Sequence, residues 1–226
     1  MAKRTYQISP AGRALFPKLK DADTKFKPEG EYVVRLILSE DDAAPLLAMC
    51  EEMQGQAAEE EFQKQREAKP KMKPEKIREG IKMADLPVKK YEDPETGEET
   101  GEYQATFKMT ASGVSKKTGK PWTRRPALFD ALNKPVDPKT VDVWTGSILK
   151  VSYNPDPFCT AIGAGVSLRL EAVQIIDLVS GGARDASDYG FAADEEGYAH
   201  EDSGSPFPSD EDLAAAGAPD TGETDF

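Results

Sequence analysis

The sequence predicts a mainly β fold: about five strands, one long helix inserted between early strands, and an acidic C-terminal tail that does not fold. Three observations carry this. In EYQATFKMTAS, residues 102–112, apolar and polar side chains alternate with a period of two. Between Ser39 and Pro70 apolar residues recur at helical spacing. Charge is also segregated: residues 181–226 hold thirteen Asp and Glu against one basic residue, Arg184, while residues 1–180 carry twenty-eight of each sign. The whole net charge of −12 therefore sits in the tail. A stretch so rich in Gly, Ser, Pro, Asp and Ala buries too little apolar surface to offset its ordering entropy, and self-repulsion extends it into a solvated anionic arm.

The first twenty residues contain Lys3, Arg4, Arg13, Lys18 and Lys20 and no acid, and read as a basic arm leading into the first strand. Terminal solubility is the plainer alternative. EYVVRLIL, residues 31–38, follows the turn signals Pro28 and Gly30 and reads as a mostly buried strand. Ser39 to Asp42 supply a cap and first-turn acids. Leu46, Cys50, Met53 and Ala57 then mark one face of a helix over 41–68, with Pro45 tolerable in the first turn and a bend conceivable at Gly55. From 64 to 100 the chain is a basic, loop-rich insertion broken by prolines, with at most a short helix near Glu75 to Lys82. In the alternating strand that follows, Tyr103, Ala105, Phe107, Met109 and Ala111 face one way and Gln104, Thr106, Lys108, Thr110 and Ser112 the other. WTRRPALFD, SILKVSYN and residues 166–179 complete the strands.

Several functions are excluded by composition. The one histidine, His200, lies in the tail, so the body has no Ser-His or Cys-His pair. Cys50 and Cys159 are far apart and form no zinc motif, and no metal or cofactor is implied. No run is long enough to span a bilayer and the start, MAKRTYQISP, lacks a signal-peptide core, which predicts a soluble intracellular protein with reduced thiols. The helix carboxylates, such as Glu59, Glu60 and Glu61, read as a solvated face, and no active site emerges.

Binding fits better. SKKTGKPWTRR carries Lys116, Lys117, Lys120, Arg124 and Arg125 around Trp122, with no acid, at a hairpin tip. Cations neutralise phosphates and release counterions, and an aromatic ring offers any base a stacking surface. The alternative is a solvated hairpin that Trp122 anchors to the core. Lys108 would share its face with Thr106 and Thr110. Tyr153 and Phe158 flank NPDP, where a loop ring could stack on a base, although Tyr153 is in phase with Leu149 and Val151 and so fits the core better, while Phe158 is freer. Trp144 fits core or surface.

FKMTAS followed by the turn SKKTGK, then SILKVSY and TAIGAGVSLRLEAV up to Gly181-Gly182, resembles the single-stranded DNA-binding proteins of T7-type bacteriophages. The start MAKR, the capped helix after EYVVRLIL and the acidic tail ending in Asp225-Phe226 extend the resemblance, and residues 64–100 are only loosely similar. The resemblance implies a five-stranded OB-fold barrel that binds single strands without sequence preference, over residues 1–180, and a disordered acidic tail over 181–226. It implies that the tail contacts DNA polymerase and primase-helicase, needs its terminal aromatic residue, shields the groove when DNA is absent and supports a homodimer. The setting would be the cytoplasm of an infected bacterium. Lys3 and Lys108 match basic groove positions and Phe226 the terminal ring. Thr110 departs from the pattern, since relatives place a tyrosine there. The expected groove residues are thus Lys3, Arg4, Lys108, Lys116, Lys117, Lys120, Trp122, Arg124, Arg125, Tyr153 and Phe158, with Asp225 and Phe226 for partners. The rival from another class is an acidic-tailed adaptor whose barrel binds protein, and a magnesium-dependent nuclease is a distant third.

Overall fold

The structure, a computed structural model, describes residues 6–25, 27–93 and 96–179. Lys3, Arg4, Asp225 and Phe226 lie outside the described residues, as does the tail. The short strand β1 (Gln7–Ile8) precedes β2 (Gly12–Asp23), so three of the five cations of the expected basic arm, Arg13, Lys18 and Lys20, lie on a twelve-residue strand. Gly12, Ala14 and Leu19 turn inward, and a register shift between Leu15 and Lys18 carries Phe16 out at a φ of 45°. Gly12 is required by close approach: a Cβ there would lie 2.6 Å from the Leu38 side chain and 3.0 Å from the Ile37 carbonyl oxygen.

Strand β3 (Glu31–Leu38) points Tyr32, Val34, Leu36 and Leu38 into the core. It leads into α1 (Glu40–Ala68), where Ser39 Oγ accepts the Asp42 N–H at 3.2 Å and Glu40, Asp41 and Asp42 face the positive helix end. Pro45 falls in the second turn rather than the first, and the helix runs through Gly55 as one element. Its buried face includes Ala43, Leu46, Cys50, Gln54, Ala57 and Phe62. Burial pushes the Cys50 thiol up to about 11, with Glu51 adding to the effect, so this cysteine is an inert packing group.

The short helix α2 (Pro74–Gly80) and strand β4 (Val88–Glu92) lie within the basic insertion, and β4 pairs with the outer end of β5 (Glu99–Thr110). WTRRPALFD is not one strand. It divides into β7 (Pro121–Thr123), which forms a separate hairpin with β6 (Ser112–Val114), and β8 (Ala127–Phe129), with Pro126 buried between them. After β9 (Pro135–Val136) come two long strands, β10 (Ile148–Thr160) and β11 (Gly163–Asp177).

The expected OB-type barrel is present. Strands pair in the order β2–β3–β5–β11–β10, and β10 returns to β2 through Ile148↔Arg13 and Leu149↔Gly12, which closes a five-stranded ring. All its pairings are antiparallel except β5 with β11, which run parallel at Phe107↔Leu168 and Lys108↔Arg169. Phe107 fills the interior with its ring 5.2 Å from that of Tyr153.

Strand β10 continues through NPDP instead of ending before it. Proline cannot donate a ladder hydrogen bond and is confined to strand edges. Pro155 and Pro157 satisfy this because residues 154–160 of β10 pair only with β11 among the described strands, leaving the other edge open. Helix α1 lies against this long hairpin: Gln54 Nε2 donates to the carbonyls of Ala84 (2.7 Å) and Ala164 (2.9 Å). Gly163, at φ 124°, brings its backbone so near that a Cβ would sit 2.6 Å from the Lys82 carbonyl oxygen. Among the described residues no helix is long and apolar enough to cross a membrane.

Candidate functional site

Alternation decides which side chains β5 offers to solvent. Ala105, Phe107 and Met109 are buried, so Thr106, Lys108 and Thr110 stand on the outer wall of the barrel. Strand register then sets Lys108 beside Val33 of β3 and Arg169 of β11, and Val33 beside Lys18 of β2. Lys18, Val33, Lys108 and Arg169 thus form one row perpendicular to the strands, spanning about 14 Å over three strand spacings. Arg35, two residues along β3 from Val33, opposes Thr106 and adds a cation diagonal to Lys108.

The cations of this face differ in how they are engaged. Lys108 Nζ lies 3.5 Å from Glu31, which also takes Lys27, and Arg169 pairs with Asp156. Among the described residues Arg35 and Lys18 have no ion pair. The Glu31 side chain is only 15% exposed but also holds Lys27, so Lys108, itself half-exposed, can turn to a stronger anion without leaving Glu31 unpaired.

Lys108 and Thr106 share a cleft of about 280 Å³ with Phe158, Pro87 and Ser167. Phe158 is on β10 rather than on a loop, opposite Gly165. A Cβ at Gly165 would come within 2.6 Å of the Phe158 ring, so the glycine is what lets the ring lie down there. The structure thus brings together two of the expected groove residues, Lys108 and Phe158, from strands that are adjacent to β11 on either side.

The hairpin of β6 and β7 follows directly from the Thr110 end of β5. Ser112 Oγ donates to the Glu29 carbonyl at 2.7 Å, and Arg124 Nε donates to the Thr110 carbonyl at 2.9 Å, tying the hairpin to the β2–β3 turn and to β5. Trp122 is half-buried against this hairpin rather than in the barrel core. Its ring covers Gly113, where a Cβ would meet it at 2.7 Å, and the Arg124 guanidinium lies 4.9 Å from its centroid. Arg125 Nε donates to the Tyr32 hydroxyl at 3.2 Å. Lys116, Lys117 and Lys120 are exposed at the tip.

Tyr153 needs a correction. It is 4% exposed, packs on Phe107 and donates its hydroxyl to Gln7 at 2.8 Å, so it is a core residue with no face to offer a base. Burial, and secondarily the Cys50 thiol, push its phenol up to about 12. Arg35, Lys18 and Arg169 are absent from the expected groove residues, although Lys18 is counted in the basic arm. For Arg35 a signal exists: it is the one cation in EYVVRLIL and alternates with inward Val34 and Leu36. Among the described residues no group of three His, Cys, Asp or Glu side chains could hold a metal ion.

Comparison with known proteins gives a consistent result. The structure is similar to the crystal structure of gp2.5, a single-stranded DNA-binding protein encoded by bacteriophage T7, with a TM-score of 0.61 and 24% identity over 82% of this chain and 99% of that one. It is also similar in fold to the single-stranded DNA-binding protein of bacteriophage Enc34 solved in complex with ssDNA, with a TM-score of 0.51 and 14% identity over 78% of this chain and 89% of the other. In sequence, the single-stranded DNA-binding protein of Escherichia phage T7 is 30% identical over 181 residues, 76% of this chain and 72% of the relative. The family model described as "Single-stranded DNA-binding protein, Bacteriophage T7" matches residues 13–178, from the first barrel strand to the end of the last. Because that match takes in the whole barrel and the helix inserted in it, the chain belongs to the bacteriophage T7 single-stranded DNA-binding protein family.

Proposed function

We propose that this chain is a sequence-independent single-stranded DNA-binding protein of a bacteriophage, acting in DNA replication and recombination in the infected host. The observation that carries the reading is the cationic row of Lys18, Lys108 and Arg169, with Arg35 beside it and the Phe158 cleft adjoining it. Phosphates repeat along every strand and every base has a stacking face, so cations in a line with a ring beside them bind without reading sequence. The strand would cross the barrel along the row, with the lysines of the 115–120 tip gathering phosphates at its flank.

Phe158 tests the stacking half of this reading. Phe158→Ala should weaken oligo-dT binding by about 1–3 kcal/mol while leaving the slope of log K against log salt unchanged, since stacking releases no counterions. A fluorescence titration at several salt concentrations measures both quantities. A changed slope with unchanged affinity would remove Phe158 from the base-stacking role.

The tail is the second half of the proposal. Thirteen acids tethered to a body with no net charge reach millimolar effective concentration at a cationic face, enough to compete with incoming phosphates. DNA entry would free the tail for DNA polymerase and primase-helicase, with Asp225 and Phe226 as the anchor, and the tail would also serve a homodimer. Deleting residues 182–226 should tighten oligo-dT binding by about tenfold at low salt, and the gain should shrink as screening grows. Removing Phe226 alone should leave DNA affinity unchanged and weaken polymerase binding. Weaker DNA binding by the tail-deleted protein at every salt concentration would overturn the competition mechanism.

A further inference from the structure

A second groove opens between β2 and the segment leading into β10. It has a volume of about 1060 Å³, and its lining includes Phe16, Lys18, Lys20, Lys25, Trp144 and Thr145. Two large rings stand exposed in it, Phe16 at 60% and Trp144 at 54%. Their backbones are nevertheless pinned: the Phe16 N–H donates to Thr145 Oγ1 at 2.9 Å and the Trp144 N–H to the Val179 carbonyl at 3.0 Å. Phe16 also holds a φ of 45°, a left-handed conformation that bulky residues rarely adopt, at the register shift of β2.

The charges of this groove cancel. Asp21, Asp23 and Asp142 offset the three lysines, and Lys20 is 2.9 Å from Asp142. It is therefore suited to uncharged aromatic matter more than to phosphate. It is also continuous with the face described above, because Lys18 lines it and stands in the same cross-strand row as Lys108. We infer that the Phe16–Trp144 groove is a second base-stacking site, taking nucleobases of the same single strand after its backbone has crossed the Lys108 row. This rests on the single-strand reading.

The test uses the full chain. The protein has two tryptophans, so Trp122→Phe leaves Trp144 as the sole indole reporter. Oligo-dT of about 4 and about 16 nucleotides brackets the site sizes of single OB barrels. The longer oligomer should quench Trp144 and the shorter should not. In the unaltered background, Trp144→Ala and Phe16→Gly should each raise Kd for the longer oligomer by about tenfold, with the salt slope and the shorter oligomer's Kd unchanged. Glycine suits the backbone at position 16, so the fold is kept while the ring is lost. Lys108→Glu should weaken both lengths. If Lys108→Glu weakens binding while Trp144 emission stays constant at saturation, the groove is not a base site although the single-strand reading stands. Emission that moves on removal of residues 182–226 but not with DNA would give the groove to the tail and overturn the inference. Failure of both oligomers to bind the unaltered protein would overturn it together with the reading beneath it.

Discussion

Reversing two charges on the outer face, Arg35→Glu with Lys108→Glu, should weaken single-stranded DNA binding by on the order of a hundredfold at low salt and reduce the salt slope by about 1.4. The slope follows from counterion release, at about 0.7 per phosphate contact on single strands. The affinity loss is larger than two lost contacts would give, because two cations, Lys108 in the row and Arg35 beside it, become two anions. Glu31, 3.5 Å from Lys108 Nζ, would also face a like charge. The fold should survive, since both side chains stand on the outer wall and Glu31 keeps its pair with Lys27. Titration against salt, with circular dichroism as a check on folding, measures this. An unchanged slope would move the phosphates to another side of the barrel.

One residue along, the consequence is opposite. Phe107→Ala should cost about 3–5 kcal/mol of stability, because Phe107 is 0% exposed and its ring supports that of Tyr153 across the barrel interior. A fold with a total stability of about 5–15 kcal/mol loses a large share of it. At about 2–4 °C per kcal/mol the melting temperature should fall by about 6–20 °C, as thermal unfolding would show. A fall of less than about 5 °C would mean that the core collapses around the missing ring. Below its melting temperature the variant should retain the salt slope that the Arg35 and Lys108 reversals lose.

The contrast between Phe107 and Lys108 was legible in the sequence because β5 obeys the period of two without interruption. The long helix was equally legible, from the Ser39 cap and the spacing of Leu46, Cys50 and Ala57. Strand β2 was not, since the shift at Phe16–Pro17 breaks its alternation and its lysines make the segment look like a solvated arm. Arg35 was obscured by its apolar neighbours: Val33 and Ile37 share its outward parity yet are buried, so EYVVRLIL reads as apolar on both faces. The place of Phe158 was hidden by the prolines before it, which look like a loop until pairing on one side alone is known. The phase of Tyr153 with Leu149 and Val151 pointed to the core, where Phe107 and Gln7 claim its ring and its hydroxyl.

The open edge of β10 bears on how many copies can crowd together. An unpaired edge with all its N–H groups would recruit the equivalent edge of a second copy and grow into an insoluble sheet. Pro155 and Pro157 remove two donors, at alternate positions, from the stretch of β10 that no other described strand covers. Replacing both would restore a template for intermolecular strand addition. The pair of prolines therefore blunts this edge against strand addition by a second copy.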